Sequence, residues 1–383
     1  MSEYDYVIVG GGVAGLYFAF RLLQKGETNF IILEGSDHVG GRNQVYKFHD
    51  TVVPLGAGAF RSTDKAVLAL VKELKIPIYY FDQKFDFSLK DYDGDWYNKT
   101  IRRLHGKRNV DVDTFLKSYF HHDKNLYNKF ITHSFYTDFF KDNDSYYAIK
   151  YYPKTDLYHS SKKYFLTVPD IHEIIRVLSN RVFSHICLRK KVNMIEKKDK
   201  KWFVHSSQDT YITKNVVMAT DFSGFKNIKF KPCLKSVKSI LKYIGTNPFI
   251  RWYTFHDSVH VENPILTSGL GKKIFPIQEK VLMSGYADNE DAKKLKKFIQ
   301  SSSLTQKTKV IQEMLENHGT VTKVKDSFYK YWNVATHYFR KGYSNNKDYF
   351  YEDNLYIVGE MPSFNQGWTE GALESVNHAL ADN

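Results

Sequence analysis

The sequence predicts an α/β fold that opens on a Rossmann-like nucleotide-binding unit, and three observations predict it. First, the stretch "YDYVIVGGGVAGLYFAFRLLQKGETNFIILEG" reads as a short apolar run, a glycine loop, a helical pattern and a second apolar run. That is a βαβ layout. Second, Gly10, Gly12 and Gly15 fall as G-x-G-x-x-G at the first strand-to-helix turn, and Glu34 closes the second strand. Third, strand-like and helix-like runs keep alternating to the far end, where "NLYIVGE" and "TEGALESVNHAL" form a last strand, loop and helix.

The loop chemistry is direct. Gly10 permits the tight turn, Gly12 lets backbone approach a pyrophosphate, and Gly15 lets helix and strand pack closely. The N-terminus of the helix then offers unpaired N–H groups and a positive dipole end to an anion. Glu34 stands about 20 residues past the loop, where an acid accepts hydrogen bonds from ribose hydroxyls.

The elements follow in order. "YVIVG" is a buried strand, "AGLYFAFRLLQKG" a helix closed by Gly26, and "FIILE" the next strand. From Phe81 to Thr167 the chain is rich in Tyr, Phe, Asp and Lys. "VDTFLKSYFHHDKNLYNKFITHSFYTDFF" carries helical apolar spacing there, so a helical insertion is expected. "DIHEIIRVLSN" is an amphipathic helix. "CLRKKVNMIEKKDKKWFVHSSQDTYITKNVVMATD" alternates as strands around a charged turn. "PFIRWYTFHD" and "KIFPIQEKVLMSGYAD" are further strands, and "DNEDAKKLKKFIQ" and "KTKVIQEMLENHG" are helices. No internal repeat is visible.

Composition bounds the rest. A chain of 383 residues is comfortable for two domains, and an apolar fraction of 42% allows a sizeable core. The net charge of +13 raises nucleic acid or an acidic membrane as partners. The lysines, however, are scattered or, in "AKKLKKF", read as one solvated helix face, so neither partner is expected. A basic rim attracting an anionic substrate stays open. Two cysteines, Cys187 and Cys233, make no disulfide framework and are expected to be buried structural thiols in a reducing compartment. No secretory leader, membrane span or tail anchor is read, so a cytoplasmic protein is expected. The Phe, Tyr, Lys and Asn usage hints at an AT-rich microbial or viral source, in which case the host cytoplasm or a virion is the setting. No metal-ligand cluster, nucleophile elbow or phosphate-transfer loop appears.

The phrase "DHVGGRN" narrows the class. Strand, glycine loop, strand-end acid and then Gly40, Gly41 and Arg42 together resemble the flavin-dependent amine oxidase family. That resemblance implies FAD as cofactor, with Gly40 and Gly41 allowing close backbone approach and Arg42 near the phosphates or flavin. "VPLGAGAFR" is similar to the family segment passing the flavin edge, with Gly56 and Ala57 in it. "KKVNMI" is similar to the segment whose valine, here Val192, meets adenine. "NLYIVGEMPSFNQGWTEGALES" is similar to the closing signature. Gly359 and Glu360 would then lie along the ribityl chain, and the helix from Thr369 would aim its N-terminus at the pyrimidine edge. The resemblance is strong at both ends of the chain and thin between them. It implies a GR2-type FAD domain from residues 1–82, 168–230 and 350–383, interleaved with an α+β substrate domain from 83–167 and 231–349. With no cysteine after Cys233, FAD is expected to be non-covalent.

By the same resemblance the chemistry is oxidation of a C–H bond beside nitrogen in a small amine, with O2 as acceptor and peroxide as product. Trp368 falls at one wall of the family's aromatic cage, or else packs the closing helix as core. Tyr338 is the candidate for the opposite wall, with core packing an equal alternative, and His337 beside it reads as an ordinary satisfied histidine. The family often holds a lysine, water-linked to flavin N5, on a substrate-domain strand. Aligning "PFIRWYTF" puts Arg251 there, to orient a water, hold a substrate carboxylate, or sit in a salt bridge. Lys272 and Lys273 are fallbacks for the lysine. Other readings stay open: a protoporphyrinogen-oxidase-like or carotenoid-desaturase-like enzyme, a UDP-galactopyranose-mutase-like enzyme, or a flavin-bound binding protein without turnover. Oligomeric state, including a homo-oligomer, is not read from the sequence.

Overall fold

In the computed structural model, β1 (Glu3–Val9), α1 (Val13–Gln24) and β2 (Phe30–Leu33) form the opening βαβ unit. The structure describes residues 3–82, 84–88, 93–133, 142–151, 163–207 and 209–381. Val7, Ile8 and Val9 are buried, as are all four residues of β2. This is what a strand covered on both faces requires.

β1 lies inside a nine-stranded sheet, parallel to β2 on one side and to the strand Thr210–Met218 on the other. The late strand Leu355–Ile357 joins the same sheet, parallel to the end of Thr210–Met218. Register decides what happens next. Val9 pairs with Met218, and Met218 with Ile357. The chain therefore leaves three parallel strands at one level, and the loops after them, at Gly10, Ala219 and Gly359, meet along one rim. Ligands of open α/β sheets bind at such carboxyl-end rims. One apolar layer packs α1, the helix Lys65–Glu73, the helix Glu173–Arg181 and the closing helix Thr369–Ala381 on one face of the sheet. A second layer, with Trp202 and Val237 in it, covers the other face.

A six-stranded sheet stands across the rim, in the order Asp326–Phe339, Ile244–Phe255, Val281–Asp288, Lys273–Gln278, Ile265–Thr267 and Asp86–Ser88. Alternation along Ile244–Phe255 sorts its side chains. Ile250 and Trp252 bury against the helices Asn289–Ser301 and Leu304–Leu315. Phe249 and Arg251 take the opposite face, toward the nucleotide-binding sheet. The lysines of "AKKLKKF" fall on the outer side of their helix, where Lys293, Lys294 and Lys297 are exposed while Ala292 and Leu295 are buried.

The helical insertion consists of Gly94–Arg103, Val112–Tyr119, Lys124–His133 and Ser145–Tyr151, packed on one apolar cluster. Two of these helices, Val112–Tyr119 and Lys124–His133, cover the segment where helical spacing was expected. His121 and His122 both adopt positive φ, 50° and 61°, and turn the chain between the two. The end of that segment, residues 134–140, lies outside the described residues. The cysteines differ from expectation. Cys233 is exposed, in the loop before the helix Lys235–Tyr243, and Cys187 is only partly covered because its strand is the outermost of the sheet. Among the described residues no helix is long and apolar enough to cross a membrane, and no His, Cys, Asp or Glu cluster could hold a metal ion.

Candidate cofactor and substrate cleft

The rim and the second sheet enclose one continuous cavity of about 1170 Å³. That exceeds the few hundred to about 1,000 Å³ typical of a single small-ligand site. It runs from Gly10, Gly12 and Glu34 at one end to Arg251, Lys273 and Trp368 at the other.

At the nucleotide end each glycine has a distinct job. A Cβ on Gly15 would stand 2.0 Å from the Gly10 carbonyl oxygen, so only glycine lets α1 sit on the loop. A Cβ on Gly12 would meet nothing within 4 Å. Its backbone faces open cavity at the start of α1, where an anion would rest against free N–H groups. Glu34 accepts the Gly11 N–H at 2.7 Å and both the N–H and hydroxyl of Ser36 at 2.8 Å. These fix the carboxylate in the wall of the cavity. Val192 begins its strand at the same end.

The glycine pair of "GGR" now has a structural cause. Gly40 and Gly41 take φ of +117° and +55°, backbone that other residues adopt only with strain. In that shape the Gly40 N–H bonds the Gly11 carbonyl at 2.9 Å, and Gly40 bridges Gly12. The second glycine turn thus buttresses the first. Arg42 then reaches across the cleft. Its Nη1 donates to Glu360 Oε2 at 2.8 Å, and its carbonyl accepts the Ala57 N–H at 3.1 Å, beside Gly56. Arg42 is therefore the tie between the start of the chain and the closing signature, as well as a cleft-lining cation.

Glu360 is buried and saturated with donors: Arg42, the His337 Nδ1–H at 2.5 Å, the His337 N–H at 3.1 Å and the Gly367 N–H at 2.6 Å. His337 Nε2 accepts the Phe222 N–H at 3.1 Å, so the proton sits on Nδ1. Burial opposes ionisation of Glu360, but His337 and Arg42 outweigh it and hold the carboxyl far below the usual carboxylate range. His337 is thus a satisfied structural histidine. Glu360 lines the cleft beside Gly359, and Thr369 starts the 13-residue closing helix there, its N-terminal end opening on the cavity. Glu370, one residue on, turns away to accept the N–H groups of Ala66 and Val67, both at 2.8 Å. Burial pushes its carboxyl up to about 7.

At the other end the walls are aromatic. Trp368 lines the cavity with its ring stacked on the Arg61 guanidinium at 4.0 Å, and buried Arg61 is itself pinned by Asp64 at 2.7 Å. Arg61 was not foreseen. Its only signal is a charge at the end of the apolar "GAGAF". If the stack fixes Trp368, Arg61→Lys and Trp368→Phe should be coupled by about 1 kcal/mol in a urea-denaturation double-mutant cycle. Additive losses would mean that the contact is incidental.

Tyr338 is not in this cleft. Its ring covers Gly245 on the neighbouring strand and lines a separate minor recess with Phe364. The cause is a register shift: five residues from Trp332 to Thr336 oppose three from Asn247 to Phe249. The shift re-aims the strand, and Trp332, Ala335 and Thr336 face the cleft instead. The Trp332 indole is anchored to the Leu55 carbonyl at 2.7 Å. Of the fallback lysines, Lys272 turns outward to Asp291 at 3.3 Å. Lys273 is buried in the cleft, its Nζ 4.7 Å from the Tyr286 ring centroid. Arg251 is also buried in the cleft wall.

Fold and cleft together present a loop suited to a dinucleotide's phosphates at one end of the cavity and an aromatic chamber at the other. The family model for flavin containing amine oxidoreductase matches residues 13–163. Flavin-containing amine oxidase A of Equus caballus is 40% identical over 77 residues, 20% of this chain and 14% of that protein. Flavin-containing amine oxidase B of Cavia porcellus is 38% identical over 79 residues, 20% of this chain and 15% of its own. The matched stretch thus spans about a seventh of the length of these curated relatives. In structure, a double mutant of putrescine oxidase superposes with a TM-score of 0.77 at 12% identity, covering 100% of this chain and 99% of its own. Cyclohexylamine oxidase from Brevibacterium oxydans IH-35A gives 0.76 at 12% identity, covering 99% and 98%. Residues 13–163 resemble the flavin containing amine oxidoreductase family, and the fold of the whole chain is that of these oxidases. The residues present fit FAD: open backbone at Gly12, an acid at the ribose position, and a cavity continuing past them to the aromatic chamber.

Proposed function

We propose that this chain is an FAD-dependent amine oxidase that holds its cofactor non-covalently and uses O2 as acceptor. The observation that carries the reading is the single cavity joining the phosphate-type loop at Gly12 to the chamber between Trp368, Trp332 and Tyr286. Bound FAD supplies the chemistry, taking a hydride equivalent from the carbon beside nitrogen and delivering electrons to O2. The protein supplies the setting. Aromatic walls of low polarity disfavour ammonium and so favour the neutral, reactive amine. They also exclude water and limit the poses the substrate can take. The N-terminal end of the helix Thr369–Ala381 offers a positive dipole to negative charge that develops during reduction. Lys273 and Arg251 add fixed donors at the chamber wall. The imine product then hydrolyses in water to a carbonyl compound.

The test is a peroxide assay in air, paired with anaerobic bleaching of the flavin absorbance, across monoamines, diamines, polyamines and amino acids. Peroxide in step with bleaching by at least one amine is the expected outcome. A stable yellow protein that no amine bleaches would contradict the proposed reaction while leaving the cofactor assignment intact.

A further inference from the structure

Arg251 is a charged side chain without a charged partner. It is 6% exposed, and among the described residues no carboxylate lies within ion-pair distance of it. Among the described residues its Nε has no hydrogen-bond partner. Its Nη1 makes only long contacts, 3.5 Å to the Tyr253 hydroxyl and 3.8 Å to Met283 sulfur. The guanidinium carbon sits 5.1 Å from the Tyr286 ring centroid and 5.7 Å from that of Phe249. The acids Glu262 and Asp288 line the same cavity, yet neither pairs with it.

Guanidinium stays protonated under all accessible conditions, so Arg251 cannot shed its charge. A buried ion left uncompensated is costly, and two ring faces offset only part of that cost. The local packing nevertheless makes room for the charge. Gly58 faces the guanidinium, and a Cβ there would stand 2.6 Å from Nη2. Lys273 lies against the same Tyr286 ring.

We propose that Arg251 is the anion-recognition point of the substrate chamber, and that the preferred substrate is an amine that also carries a carboxylate. The inference rests on the amine-oxidase reading and deepens it. The carboxylate completes the missing ion pair, and a planar fork of donors suits its two oxygens. A neutral or purely cationic amine leaves Arg251 unpaired. Negative charge on the reduced cofactor could satisfy the same guanidinium, so the experiment separates the two sources.

FAD-loaded wild type, Arg251→Met and Arg251→Lys are titrated anaerobically with matched pairs: phenylalanine against phenethylamine, and 4-aminobutanoate against 1,4-diaminobutane. Binding is read by isothermal calorimetry and by the perturbation of flavin absorbance. Far-UV circular dichroism checks that each variant is folded. Wild type should bind at least one carboxylate-bearing member more tightly than its partner. Arg251→Met should weaken that ligand by about 10- to 100-fold, and the carboxylate-free partner by little. Arg251→Lys, with charge but no fork, should recover part of the loss. Equal binding of carboxylate ligands by wild type and Arg251→Met would overturn the proposal. So would an Arg251→Met protein whose only change is a shifted flavin reduction potential, because the guanidinium would then serve the cofactor. If no amine bleaches the flavin, the oxidase reading fails separately, and calorimetry still decides whether Arg251 binds the carboxylates.

Discussion

Glu360→Ala should cost the protein about 3–5 kcal/mol, the usual penalty for breaking a buried ion pair from one side. The substitution leaves the Arg42 guanidinium, the His337 Nδ1–H and the Gly367 N–H without their shared acceptor. It also unties the "GGR" turn from the closing segment, so cofactor retention should fall together with stability. Glu360→Gln keeps one acceptor and should cost less. Its comparison with wild type carries a pH signature. Glu360 is held below its ordinary value of 4.5, so the folded state prefers the ionised form. The stabilisation is then fully present above about pH 4.5 and is lost as pH falls toward the folded-state value. The gap in urea midpoint between wild type and Glu360→Gln should therefore be widest near neutrality and narrow in acid. A gap that does not change with pH would show that the carboxylate's charge contributes nothing.

The second large effect is a contrast between two glycines three residues apart. Gly15→Ala forces a Cβ to 2.0 Å from the Gly10 carbonyl oxygen. Overpacking against backbone that cannot yield should cost about 3 kcal/mol, and the phosphate loop should lose its shape with it. Gly12→Ala meets nothing within 4 Å, and Gly12 has φ −76° and ψ −178°, which alanine adopts freely. Its effect on the cofactor-free protein should stay within about 0.5 kcal/mol. Its methyl group, however, enters the space where a pyrophosphate would approach, so FAD affinity should fall at least about tenfold, or about 1.4 kcal/mol. Thermal melts of cofactor-free protein, together with FAD titrations, separate the two. Equal stability losses for Gly12→Ala and Gly15→Ala would remove the distinction between a packing glycine and a binding glycine.

How much of this was legible in the sequence depends on whether local chemistry decides it. The opening βαβ unit was legible because glycine spacing, apolar runs and Glu34 are all local signals that agree. The closing strand, Glu360 and the helix from Thr369 were legible for the same reason. That these distant segments share one rim is a matter of register, Val9 with Met218 and Met218 with Ile357, and no local pattern states it. Tyr338 and Trp332 show the limit more sharply. Both are aromatic residues on one strand, and a two-residue register shift decides which of them faces the cleft. Strand periodicity cannot foresee such an irregularity. The His121–His122 break was hidden because helical spacing continues through two residues that adopt positive φ. The roles of Arg61 and Lys273 depend on partners far along the chain, Trp368 and Tyr286. Arg42 was expected beside the cofactor and lines that cleft, but its ion pair with Glu360 spans 318 positions and became visible only in three dimensions.

A direct titration tests whether the cleft is an FAD site. Protein freed of cofactor is mixed with FAD, and bound flavin is counted after gel filtration. The chain should take up one FAD per molecule and release it to the supernatant on acid or heat denaturation, as a non-covalently held cofactor does. Folded protein that stays colourless at saturating FAD would contradict the account at its root.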